Sequence, residues 1–167
     1  METNELYLKT AFCCMACDGD IAGEELELVK QFAVSSTLFE GIDIENKLNE
    51  YVTEINDQGQ SFLAGYISNI VNAQLTEQEE MELAKIAIKM IEADNKIEYS
   101  EISFFKRIRN KLNVADEKLL DIFKDETLFE KFPEVEPEDF LLPDIVVNDD
   151  LVWNVSFEKI NLAIKAS

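Results

Sequence analysis

Seven carboxylates in two short stretches are the residues of this chain best placed to do chemistry. The first stretch reads Cys17-Asp18-Gly19-Asp20-Ile21-Ala22-Gly23-Glu24-Glu25-Leu26, the second Ala93-Asp94-Asn95-Lys96-Ile97-Glu98-Tyr99-Ser100-Glu101-Ile102. Three kinds of chemistry fit. As a structural device, Asp and Gly close a helix and turn the chain, while Glu25 and Glu101 complement the dipole of the next helix. As a cation site, Asp18, Asp20 and Glu25 would face Asp94, Glu98 and Glu101 across a pseudo-twofold axis. Carboxylates held that close repel one another unless a cation or protons intervene. An all-oxygen set of this kind suits calcium or magnesium. As an acid and base, a carboxylate pair could run hydrolysis. No nucleophile–base pair, phosphate-binding loop or aromatic sugar platform accompanies the carboxylates, so the expectation is a protein that is not an enzyme.

Neither stretch alone is a calcium-binding EF-hand. Asp18, Gly19, Ile21 and Glu25 match loop positions 5, 6, 8 and 12 of that motif. Positions 1 and 3 then fall on Cys14 and Ala16, and in the second stretch on Met90 and Glu92. Cysteine, alanine and methionine cannot supply the hard oxygens that calcium takes.

The elements that position these residues repeat with them. The offset is 76 residues throughout, from Asp18 to Asp94, Ile21 to Ile97 and Glu25 to Glu101. The apolar frame keeps the same register: Phe12, Met15, Leu28, Val29 and Phe32 match Ile88, Ile91, Phe104, Phe105 and Ile108. Each copy therefore reads as helix, tight acidic turn, helix. Gly19 and Asn95 share one slot, and these residue types enter left-handed backbone most cheaply at a helix end.

The motif Asp18-Gly19-x-Ile21-x-x-x-Glu25, preceded by a helix of small residues and repeated near residue 94, resembles the TerB-like family of tellurite-resistance and stress-associated helical domains. The resemblance covers roughly residues 1–125 by length and helix pattern. The second copy departs from it, with Asn95 for glycine and Lys96 for an acid. The resemblance implies a non-catalytic interaction or sensing module. It also implies protein contacts in a membrane-associated stress complex, and acidic turns that admit metal or cation sensing.

Helical periodicity fills in the rest. A first helix spans residues 4–17, with Thr3 as its cap, and a second spans 24–36. Asp43 caps a third helix carrying Ile44, Leu48, Tyr51, Val52 and Ile55, which Asp57, Gln58 and Gly59 end. Phe62, Leu63, Tyr66, Ile67, Ile70 and Val71 mark a fourth. Thr76-Glu77-Gln78-Glu79 is a capping-box pattern that opens a fifth over 77–93. A sixth runs from Ser100 to Leu112, and Asp116 caps a seventh through Leu119, Leu120 and Phe123. The fold class is therefore all-α, a bundle of about seven helices with an internal helix-turn-helix repeat. Residues 1–130 form the helical domain. Residues 131–167 form a C-terminal extension packed on it, where Pro133, Pro137 and Pro143 enforce extended or turn-rich chain. Ile145–Val147 and Leu151–Trp153 read as a short hairpin or an apolar tail, before a last helix capped by Ser156.

Composition narrows the function classes. The formal net charge is −20, from 35 acids and 15 bases. This opposes nucleic-acid binding, which relies on cations displacing counterions, and binding to anionic lipid. It suits cations or a basic protein partner. The chain has no histidine, which removes Ser-His-Asp and Cys-His catalysis and the commonest zinc ligand. No apolar run of about 18 residues appears, so no membrane insertion is expected. The acidic start Met1-Glu2-Thr3-Asn4-Glu5 lacks the basic opening of a secretory signal, so the expected location is cytoplasmic.

Cys13, Cys14 and Cys17 lie near the C-terminal end of the first helix. A redox CxxC uses the N-terminal end, where the dipole lowers the thiol pKa. These three therefore read as small core residues that stay reduced, the alternative being a soft-metal thiol site completed by a ligand from elsewhere. Lys106, Arg107, Arg109 and Lys111 crowd the end of the sixth helix, where cations complement the dipole. They balance local charge or contact a phosphate or an acidic partner.

Overall fold

A computed structural model describes residues 1–17, 27–32, 36–92, 97 and 99–141. Among these residues the fold is all-α: eight helical segments, two short 3-10 turns and no strand.

Helix α1 (Thr3–Ala16) is the centre of the bundle. Every residue from Leu6 to Ala16 is buried. A helix so apolar on all sides has to be surrounded. Its two polar interior residues are satisfied locally. Thr10 Oγ1 donates to the Leu6 carbonyl (2.8 Å) and accepts from Tyr66 Oη (2.6 Å). Lys9 Nζ donates to Asn69 Oδ1 (2.7 Å) and lies 4.9 Å from the centre of the Phe62 ring.

The described part of α2 (27–32) buries Val29 and sets Leu28 and Phe32 against the core. Ser36 then caps a 3-10 turn, Thr37–Phe39, by accepting from Leu38 N–H. Helix α3 (Ile44–Gln58) opens on Asp43, whose carboxylate accepts from Asn46 N–H (3.3 Å), and buries Leu48, Tyr51 and Ile55. Asp57 and Gln58 remain helical, so the break before α4 (Gln60–Ala73) is Gly59 alone. Its φ of +61° and ψ of −132° belong to glycine's territory.

Helix α5 (Glu77–Glu92) starts with the expected capping box. Glu79 N–H donates to Thr76 Oγ1 (3.2 Å), and Thr76 N–H donates to Glu79 Oε1 (2.9 Å). Helices α6 (Tyr99–Asn110), α7 (Asp116–Lys124) and α8 (Leu128–Lys131) follow. The principal packing is α1 on α5. Helices α3 and α4 cover α1, α7 and α8 cover α5, and α6 touches both.

Three further details differ from the periodicity. Thr3 is not a cap: Glu2 holds that place, and Thr3 sits inside the first turn. Asp116 is likewise inside α7, whose N-cap is Ala115, because its carboxylate is engaged by Arg109 instead. Val71 points outward, 54% exposed.

Beyond residue 131 the chain turns at Pro133 and enters a 3-10 turn, Pro137–Phe140, with Pro137 at its first position. Proline fits there because that N–H has no helical partner to lose. The turn drives Phe140 into the core, with ring centres 5.6 Å from Phe105 and Phe129 and 6.2 Å from Phe123. The segment read as a hairpin or apolar tail, and the last helix, lie outside the described residues.

Candidate carboxylate site at the repeated acidic stretches

The two helices that precede the acidic stretches begin side by side. Thr3 Oγ1 donates to Glu79 Oε2 (3.1 Å), and Tyr7 Oη donates to the Glu79 carbonyl (3.2 Å). Thr3 and Glu79 are themselves separated by 76 residues, so this contact joins equivalent points of the two copies. The shared apolar frame is filled as the repeat requires. Phe12 and Ile88 are both fully buried, as are Val29 and Phe105, and Met15 and Ile91 are nearly so. Leu28 and Phe32 are half-buried where Phe104 and Ile108 are buried.

Electrostatics at this junction follow from the contacts. The Thr76 backbone N–H, with the hydroxyls of Thr3 and Thr76, holds the Glu79 carboxyl below its ordinary value against the opposing effect of burial. Burial pushes the Tyr7 phenol up to about 12, and the charges of Glu79 and Glu82 add to that.

Of the six carboxylates named as cation ligands, Asp18, Asp20, Glu25, Asp94 and Glu98 lie outside the described residues, and so does their convergence. Glu101 is described. It stands in the first turn of α6, only 4% exposed, in frame with the buried Phe104, Phe105 and Ile108. Among the described residues no group of three or more cysteines and carboxylates is placed to hold a metal ion.

A second buried carboxylate went unread in the sequence. Glu80, 4% exposed, accepts from the backbone N–H groups of Asn113 (2.7 Å) and Val114 (2.8 Å) through Oε1. It thereby fastens the α6–α7 loop to the start of α5. The signal was present: Glu80, Leu83, Ala84 and Ala87 follow the i, i+3, i+4, i+7 spacing of one inward face. The equivalent residue of the first copy, Asn4, performs the same task with a different group. Its Nδ2 donates to the Glu40 carbonyl (2.8 Å), next to the 3-10 turn that follows α2.

The basic end of α6 is partly spoken for. Arg109 donates through Nε and Nη2 to Asp116 Oδ1 (3.2 and 2.6 Å) and through Nη1 to the Leu112 carbonyl (3.2 Å). Arg107 is 9% exposed. Arg109 thus balances charge at the α6–α7 corner and closes a helix end.

All three cysteines are buried thiols. Cys17 Sγ donates to the Cys14 carbonyl at 3.4 Å. Burial pushes the Cys13 thiol far above its usual range, against a weaker opposing pull from Lys9. A thiol in that state is a packing group rather than a nucleophile. Burial likewise pushes the Tyr51 and Tyr66 phenols upward. On the surface, a shallow polar depression along α3 is lined by Asn46, Asn49, Glu50, Thr53 and Glu54. No helix among the described residues is long and apolar enough to cross a membrane.

Comparison of the chain with protein-family models, with curated proteins and with solved structures finds no match.

Proposed function

We propose that this chain is a non-catalytic, cytoplasmic interaction module of the TerB-like kind, whose two acidic turns act together on a basic protein partner. One observation carries the reading. Among the described residues, the helices that precede the two acidic stretches, α1 and α5, pack on each other more extensively than any other pair and start from a shared contact at Glu79. The net charge of −20 supports a basic partner over nucleic acid or anionic lipid. The test is a pull-down from the native cell at moderate salt, using the wild-type chain and the double variant Asp18→Asn, Asp94→Asn. Loss of the captured partner in the variant supports the module. An identical captured set in both argues that the turns are only turns.

A second reading, binding of calcium or magnesium by the same turns, rests on the carboxylates of the two stretches, an all-oxygen set of the kind these cations take. A ligand that binds only the folded state stabilises it by about 2.7 kcal/mol at a hundredfold excess over Kd, which corresponds to a Tm rise on the order of 5 °C for a chain of this size. Calcium or magnesium should produce that rise, and the double variant should abolish it. If sodium at matched ionic strength reproduces the whole rise, it is general screening and the cation reading fails.

A further inference from the structure

We draw no further inference here: the strongest candidate, the charge-free outer face of α4 formed by the exposed residues Ser61, Ala64, Gly65, Ser68, Val71 and Asn72, is a stripe of small residues, and nothing in the structure shows what covers it.

Discussion

Lys9 and Lys85 hold the same place in the two copies, yet they live in different surroundings. Lys9 is 9% exposed, with its ammonium on the Asn69 amide and over the Phe62 ring. The Lys85 side chain is 37% exposed and pairs at 4.0 Å with Glu82 on its own helix. The reason is what lies over each helix. The first copy is followed by α3 and α4, of fifteen and fourteen residues, and these cover α1. Among the described residues the second is followed by α7 and α8, of nine and four residues, and α5 is buried on one side only. Equivalent helices therefore carry different loads: α1 is a central post, and α5 is an amphipathic wall. The repeat constrains the shared apolar frame, while the flanking elements decide which polar residues are pulled inside.

The largest expected effects test the frame that both copies share. Phe12→Ala and its counterpart Ile88→Ala each empty a fully buried site, and each should cost about 3–4 kcal/mol in chemical denaturation. A loss under about 1 kcal/mol at either site would show that its copy is not built on the common frame.

Next comes the loop fastening. Glu80→Ala should cost about 3 kcal/mol, because it strands the buried Val114 N–H and the part-buried Asn113 N–H, which now donate to a carboxylate. The counterpart Asn4→Ala removes the exposed bond to the Glu40 carbonyl and the part-buried bond that its Oδ1 accepts from Glu5 N–H, and should cost about 1 kcal/mol. Equal costs would contradict the buried–exposed contrast.

The lysine pair sharpens the comparison directly. Lys9→Ala should lose about 2 kcal/mol through lost packing and the stranded Asn69 amide. Lys85→Ala should stay within about 0.5 kcal/mol of wild type. Hydrogen exchange of α1 and α5 would locate each loss on its own helix.

The smallest effect is confined to alkaline pH. The Tyr7 phenol rises from 10.0 to about 12 on folding, so between those values the folded state holds a proton that the unfolded chain releases. Its contribution to stability is complete below pH 10 and is lost as the pH climbs through about 12. Leu83, the equivalent residue on α5, has nothing to titrate. Tyr7→Phe should therefore show a shallower alkaline decline than wild type. Superimposable stability curves from pH 9 to 12 would remove Tyr7 from the account.

Much of the framework could be read from residue types. Local signals were dependable where one side chain decides the matter, as with Asp43 at the start of α3, the Thr76–Glu79 box and the break at Gly59. They failed where a partner outside the helix competes. Thr3 had the chemistry of a cap, but Glu79 takes its hydroxyl; Asp116 had it too, but Arg109 engages its carboxylate. Glu80 escaped notice because an acid on an inward stripe reads as an error until its partners, thirty-three and more residues away, are known. Of the carboxylate site itself, the structure adds the burial of Glu101 and the pairing of the helices that precede the two acidic stretches.

The single-residue corner at Gly59 bears on how the chain reaches this arrangement. A side chain there would meet nothing within 4 Å, so any substitution is penalised by backbone conformation alone. With one residue between them, α3 and α4 form a helical hairpin whose closure costs little chain entropy and whose contacts are local. This hairpin sits between the two copies in the chain. It is expected to assemble early and to bring distant partners within reach, so that α5 meets α1 across a spacer that has already shortened itself.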